Sequence, residues 1–340
     1  MCIVSIITPN YNRAALIKET AASIFNQTSP NWEWIIVDDG STDDSPQVMQ
    51  EFAARDSRVK VFQRERLPKG AAACRNIAIE NCSGNYLIFL DSDDVLASFC
   101  VEQRLKAAGE YPEYDFLIFP LLLFKNKPDD LGLLWNIENE TDDITRTMLG
   151  DPICQGTGTI WKKQSFIEVG MWDETLLLWQ DVELHLRTFL SDLKYKKLLN
   201  LPPDIFIRVS EISLSRTGFN SLPKFQSRVK VYTDTLNLAD QRGLLPKYKK
   251  GLIHMGFDLV CSAIHSNHFA EADQLLKLND KYALFDAACM NKIRQFYWAK
   301  RIKLYKFPLL KKLSVRPKVD IYNNYRVTLS KVKYHEKIAL

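Results

Sequence analysis

The chain has 340 residues, 46% of them hydrophobic and 25% charged, which is material for two domains, or for one large domain with an appendage. Its 45 lysines and arginines against 41 acids leave a net charge of +4, too mild to argue for nucleic acid as a partner. Seven cysteines without a C-x-x-C pair read as reduced thiols of a cytosolic protein.

In chain order, Ile3 to Ile7 reads as a buried strand, ended by Thr8-Pro9-Asn10-Tyr11-Asn12. A helix follows from about Arg13 to Asn26, with Leu16, Ile17, Ala21, Ile24 and Phe25 at helical spacing. Trp32 to Val37 is a second strand running into Asp38-Asp39-Gly40-Ser41-Thr42-Asp43, where Thr42 is placed to cap the next helix. Val59 to Phe62 is a third strand, and Ala71 to Asn81 a helix that leads to a fourth strand at Tyr86. Beyond it come a helix near Phe99 to Ala108, a strand from Asp115 to Pro120, and a polar loop from Lys125 to Glu140. A strand returns at Thr157 to Trp161, Gln180 to Leu193 reads as a helix, and Lys196 to Leu199 and Ile205 to Val209 as further strands. After Ser221 the pattern turns helical over Phe225 to Arg242, Leu252 to Ser266 and Ala270 to Leu278. Alternating strands and helices imply a parallel, doubly wound sheet, with a boundary near Gly218. The longest apolar run, Phe116 to Phe124, contains Pro120 and falls far short of the roughly 20 residues of a membrane span. No signal peptide is read at the N-terminus.

The fourth strand carries the chemistry. Tyr86 to Leu90 is almost wholly apolar and then meets Asp91-Ser92-Asp93-Asp94. On an extended chain Asp91 and Asp93 project to one side, and two like charges that close repel. A hard divalent cation relieves that repulsion, taking one or two carboxylates and completing its shell with phosphate oxygens. Open α/β sheets bind ligands at the carboxyl ends of their strands, which is where these acids stand. No G-x-G-x-x-G follows the first strand, which argues against a Rossmann dinucleotide site, and no G-x-x-x-x-G-K-[ST] is present, which excludes a P-loop.

Four segments, Thr8-Pro9-Asn10-Tyr11-Asn12, Trp34 to Asp43, Gly70-x4-Arg75-Asn76 and Phe89 to Asp94, together resemble the family 2 glycosyltransferases. The resemblance implies a GT-A fold, an α/β architecture with a Rossmann-like nucleotide-binding mixed sheet flanked by helices, over residues 1–218. A helical C-terminal region with a basic tail would fill 219–340. It implies an inverting enzyme that moves a hexosyl or N-acetylhexosaminyl group from a nucleotide-sugar, commonly a UDP-sugar, to a saccharide or lipid-linked saccharide in polysaccharide or glycoconjugate synthesis. Thr8, Pro9 and Tyr11 would then lie by the nucleoside, Asp39 would accept the uracil N3–H, and Arg75 would reach the diphosphate with Asp91 and Ser92. Asp91 and Asp93 would hold Mn2+ or Mg2+. The pair Gln180-Asp181 matches the family's Glu-Asp, whose aspartate is the general base, so Asp181 is the catalytic candidate.

The sequence departs from that pattern twice. Gln180 stands where the family has glutamate, and Ser210 where Arg208-Val209-Ser210-x-x-Ser213 would carry histidine. These departures motivate the alternative of a catalytically inactive nucleotide-sugar-binding or scaffold protein. By the same resemblance Gly156-Thr157-Gly158 would fall on the acceptor side, and Trp161, Trp172 and Trp179 read either as sugar platforms or as core. From Lys300 to Leu340 basic residues dominate, with Asp320 and Glu336 the acids there. That tail reads as a solvated basic face, or alternatively as a peripheral contact to the inner membrane face by an otherwise cytoplasmic protein.

Overall fold

The structure is a computed structural model describing residues 3–128, 130–209 and 217–317. Its first half alternates as expected: β1 (Val4–Asn10), α1 (Leu16–Phe25), β2 (Trp32–Asp38), α2 (Ser45–Arg55), β3 (Val59–Gln63), α3 (Ala71–Asn81) and β4 (Tyr86–Phe89). Then follow β5 (Val95–Leu96), α4 (Cys100–Glu110), β6 (Phe116–Ile118), β7 (Leu121–Phe124), β8 (Leu133–Leu134) and α5 (Asp143–Met148). A 3-10 turn at Gly156–Gly158 leads to β9 (Thr159–Lys162), α6 (Lys163–Glu168), α7 (Gln180–Phe189), β10 (Tyr195–Lys197) and β11 (Ile205–Arg208). Four helices close the described chain: α8 (Leu222–Gln241), α9 (Leu245–His265), α10 (Phe269–Lys281) and α11 (Ala287–Arg301).

The main sheet has seven strands in the order β10-β6-β9-β4-β1-β2-β3. It is mixed: β1 pairs in parallel with β2 and β4, whereas β9 lies antiparallel between β4 and β6. Side chains of β1, β2 and β4 alternate between two apolar layers. Ile6, Trp34 and Ile88 enter one, and Ile7, Ile35 and Phe89 the other, as strands buried on both faces require. The helices α8 to α11 pack into the second of these layers, so the helical region shares one apolar cluster with β4, α3 and α7. At one contact the fit is close enough to need a glycine: a Cβ on Gly256 of α9 would collide with the Tyr232 hydroxyl of α8.

Several elements differ from expectation. The apolar run after Asp115 is two strands, because Pro120 lacks the N–H to continue a ladder and the chain passes there into a second, four-stranded sheet, β5-β11-β7-β8. Buried Asn136 holds this corner, accepting from Leu121 N at 2.8 Å and donating to the carbonyls of Phe119 (2.8 Å) and Ile153 (3.1 Å). Thr42 does not cap α2. Asp44 occupies that position without a side-chain cap bond, and the Thr42 N–H instead donates to Asn12 Oδ1 at 2.8 Å, joining the two loops. Thr157 falls in the 3-10 turn and not in a strand, and α5, α6 and α11 were not anticipated. Ser210 and the tail beyond Pro317 lie outside the described residues.

One buried ion pair ties the two sheets together. Arg104 of α4 and Asp204, just before β11, are both 0% exposed and meet through two bonds, Nε to Oδ2 at 2.9 Å and a terminal nitrogen to Oδ1 at 2.7 Å. The remaining guanidinium nitrogen donates to the carbonyls of Thr157 (3.2 Å) and Thr159 (3.0 Å). Every charge is thus matched, and removing one partner strands the other in a dry interior. Arg104→Met is expected to lower stability by about 3–5 kcal/mol in urea denaturation, and Arg104→Met with Asp204→Leu to recover most of it.

Buried His185 of α7 gives a pH signature. Among the described residues its ring nitrogens have no well-formed hydrogen bond, and burial pushes its pKa down to about 4 from an ordinary 6.5 against the weaker pull of the Asp181 backbone. The unfolded chain therefore binds a proton between those values that the native state refuses, so this contribution is complete above pH 6.5 and is lost as pH falls toward 4. His185→Phe is expected to flatten the acid side of the stability–pH curve, measured by thermal unfolding across that window.

Candidate active site

A cavity of about 680 Å³, of a size that takes a small organic ligand, opens over the carboxyl ends of β1, β2 and β4. Pro9, Tyr11, Asp39, Arg75, Asp91, Ser92, Asp93 and Asp181 all line it, so residues from the four motifs and from the start of α7 meet in one place. Thr8 is the exception. It is 0% exposed, absent from the lining, and its hydroxyl accepts from Trp34 Nε1 at 2.9 Å. Its side chain supports the floor from below.

At one end the adjacent acids of β2 have different tasks. Asp38 shapes its own turn, accepting from Gly40 N (3.0 Å), Ser41 N (2.8 Å) and Ser41 Oγ (2.5 Å). Asp39 faces the cavity and is held there through one carboxylate oxygen, by Arg64 Nε and by Gly70 N at 3.3 Å. The Tyr11 ring stands nearby with Lys69 Nζ 3.8 Å from its centroid, a cation–π contact. Arg64, Lys69 and Gly70 belong to the segment joining β3 to α3, which therefore closes over this end.

In the middle lies Arg75. Its side chain is 9% exposed and donates to Asp91 Oδ1 at 2.7 Å and to Gln180 Oε1 at 3.4 Å, while its guanidinium sits 4.6 Å from the Trp172 ring centre. Burial works against its charge, but the carboxylates of Asp91 and Asp181 outweigh it and raise its pKa. The next residue, Asn76, clips the chain below by accepting from Trp172 N (3.1 Å) and donating to Trp172 O and Glu174 Oε1 (both 2.9 Å).

The acids after β4 divide likewise. Asp94 is 4% exposed and accepts from Arg208 N at 2.9 Å, so it fixes the loop instead of lining the cavity. Arg208 also donates through Nε to the Asp93 carbonyl (2.9 Å) and reaches Glu19 at 2.6 Å. Burial pushes the Asp93 carboxyl up, with the Asp91 charge adding to it and Arg13, 3.7 Å away, opposing it. Two neighbouring carboxylates that repel, open on the cavity side, suit a hard dication such as Mn2+ or Mg2+. Among the described residues no group of three His, Cys, Asp or Glu side chains forms a complete cage, so phosphate or water would supply the other ligands.

Asp181 enters from the opposite wall, in the first turn of α7. Trp179, which precedes that helix, sits in the left-handed backbone region at φ 64°, a conformation costing a non-glycine residue about 1–2 kcal/mol. That turn sends the helix N-terminus into the cavity. Burial raises the Asp181 pKa, and the Arg75 charge and an N–H from Gly156 at 2.8 Å only partly offset it. Of the three tryptophans considered, Trp161 (0% exposed) and Trp172 (2%) are core, and Trp179 lines the cavity. Sequence reading missed Arg13, Trp135 and Lys224 as lining residues. Arg13 directly follows the first motif and was within reach of local inference. Lys224 comes from α8, far along the chain, and no local signal marks it.

Comparison with known proteins agrees with this geometry. The family model described as glycosyl transferase family 2 matches residues 5–170. That segment is a family 2 glycosyltransferase domain. TuaG of Bacillus subtilis (strain 168), named for teichuronic acid biosynthesis, is 42% identical over 104 residues, which are 31% of this chain and 41% of that protein. The Escherichia coli protein named UDP-Glc:alpha-D-GlcNAc-diphosphoundecaprenol beta-1,3-glucosyltransferase WfgD is 40% identical over 103 residues, 30% of this chain and 40% of it. The chain thus spans about two fifths of these relatives. The fold is that of S. aureus TarS 1-349, solved with UDP-GlcNAc, at TM-score 0.58 and 17% identity over 88% of each chain.

Gly156 is where the 3-10 turn before β9 meets Asp181. A Cβ there would stand 3.0 Å from the Trp172 ring and 3.1 Å from Asp181 Oδ1. Trp172 is locked between Phe89, Phe166 and Arg75 and has no room to yield. Gly156→Ala is therefore expected to cost about 1–3 kcal/mol of stability, read by urea denaturation.

Proposed function

We propose that the protein is an inverting glycosyltransferase that moves a sugar from a UDP-sugar to a hydroxyl of a saccharide or lipid-linked saccharide, in the building of a polysaccharide or glycoconjugate. The observation carrying this reading is that one cavity joins the paired acids closing β4 to a half-buried carboxylate on α7, with Arg75 between them. A pyrophosphate needs cations at its oxygens and an attacking hydroxyl needs a base, and here the two requirements are met on facing walls.

The residues divide the work as follows. Tyr11 offers a face to the base and Asp39 accepts from the uracil N3–H, with its carboxylate held in orientation by Arg64 and Gly70. Arg75 turns toward the diphosphate oxygens, aided by its position at the edge of the Asp91 carboxylate. Asp91 and Asp93 would hold Mn2+ or Mg2+, which supplies charge neutralisation to the departing nucleoside diphosphate. Asp181 takes the proton of the acceptor hydroxyl as that oxygen attacks the anomeric carbon. The bond to the diphosphate breaks on the opposite face, so the configuration inverts in a single displacement. Gln180 keeps a polar link to Arg75 where a glutamate would carry charge, and its amide nitrogen is tied to the Leu176 carbonyl at 2.7 Å. UDP-GlcNAc bound to TarS and the UDP-glucose in the name of WfgD support a uridine donor.

The deciding experiment measures UDP release from UDP-sugars with Mn2+ and an acceptor mixture. Asp181→Asn is expected to lower turnover by about 10²–10⁴ while UDP binding persists. Asp93→Ala is expected to abolish manganese-dependent UDP binding in calorimetry. Equal turnover in wild type and Asp181→Asn would reject the base assignment, and an inactive wild type that still binds UDP would favour the binding-protein alternative. A base acts ionised, so the raised Asp181 pKa moves the acidic limb of the rate profile to higher pH than an ordinary aspartate would give, with activity rising as pH increases through it.

A further inference from the structure

Away from the cavity, the described surface is both apolar and basic at one place that sugar transfer does not use. Exposed large apolar side chains gather at the C-terminal end of the described residues: Trp298 (58% exposed), Ile302 (59%), Phe307 (58%), Leu309 (94%) and Val315 (64%). The helix explains the first two. Ile293, Phe296 and Ala299 form the buried stripe of α11 at helical spacing, which turns Trp298 and Ile302 outward. Beyond α11, 3-10 turns at Leu304–Lys306 and Pro308–Ser314 pack back against it, and Arg316 is bonded to Asp258 of α9. The apolar side chains are therefore presented by a segment fastened to the body at both ends.

Its charge is of one sign. Residues 287–317 contain nine lysines and arginines and no aspartate or glutamate. Lys303, Lys306, Lys311 and Lys312 are exposed between the apolar side chains. An ordinary solvated basic face has no reason to expose Phe307 and Leu309 among its lysines, whereas a headgroup layer with anionic lipids accepts both kinds of side chain. Nucleic acid matches the charge but not the aliphatic residues Ile302, Leu309 and Val315, which offer no stacking face. Among the described residues no helix is long and apolar enough to cross a membrane, so the contact is peripheral.

We propose that the face formed by residues 298–315 docks the protein onto an anionic lipid surface, its apolar side chains entering the headgroup boundary and its lysines meeting lipid phosphates. The contact stands apart from the transfer chemistry and is read without it. The test is sedimentation of the full chain with phosphatidylcholine vesicles, with and without phosphatidylglycerol. Binding to the anionic vesicles alone, weakening as salt rises, is the expected result. Phe307→Ser with Leu309→Ser is expected to lower partition at least ten-fold. Lys303→Gln with Lys306→Gln and Lys311→Gln is expected to lower it on the order of a hundred-fold. UDP binding should be unchanged in both, which separates failure here from failure of the donor site. The proposal is overturned if wild type ignores anionic vesicles, if both variants bind as wild type does, or if polyuridylate binds more tightly than the vesicles. It is equally overturned if light scattering finds a dimer that Phe307→Ser with Leu309→Ser disperses, because the face would then be covered by a second copy.

Discussion

A buried guanidinium must have its charge answered, and in this protein the answer comes from two directions. Arg75, on α3, lies between Asp91 at the end of β4 and Asp181 at the start of α7, with the Trp172 ring against its plane. The Arg75 guanidinium is the buried member of the three, and leaving it unmatched costs several kcal/mol, so α3 and β4 are bound in register with α7, which lies far along the chain. Asn76 strengthens the arrangement from the adjacent position by gripping the Trp172 backbone. The Arg-Asn dipeptide thus fastens the later half of the domain to the earlier half, and the cavity is the space left between them. The left-handed turn at Trp179 belongs to the same construction, because local strain is tolerated where the surroundings dictate the path.

What the sequence disclosed follows from the range of the forces involved. β1, β2 and β4 were legible because strands buried on both faces are written as near-continuous apolar runs, and each ends in a compact polar motif, whereas β3 is only half-buried and carries Lys60 among its apolar residues. The acids at Asp39, Asp91 and Asp93 were legible for the same reason: they stand where an apolar strand stops. Thr8 shows the limit of motif reading. Strand parity groups it with Val4 and Ile6, on the face of Trp34, and the pleat takes its hydroxyl below the cavity floor. β5 and β8 are two residues long and α5 and α6 six, too short for a period to register. The fully buried ion pair of Arg104 and Asp204 joins residues 100 positions apart, and nothing local in either segment announces the other. Lys224 reaches the cavity wall because α8 packs where it does, which is a property of tertiary structure alone.

The apolar cluster shared by the sheet and the helices has a bearing on how the molecule holds together. The segment recognised as a glycosyltransferase domain ends at residue 170, but Phe166 and Trp172 lie in the same cluster as Leu184, Phe225, Tyr232 and Leu259. Among the described residues the apolar contacts run without a break from the sheet into the helices of that cluster. Heat or denaturant would therefore find one cooperative body to melt, and a chain cut near Gly218 would leave a raw apolar flank in place of a finished fold. The boundary that homology draws is a record of descent. The boundary that physics draws lies further along the polypeptide.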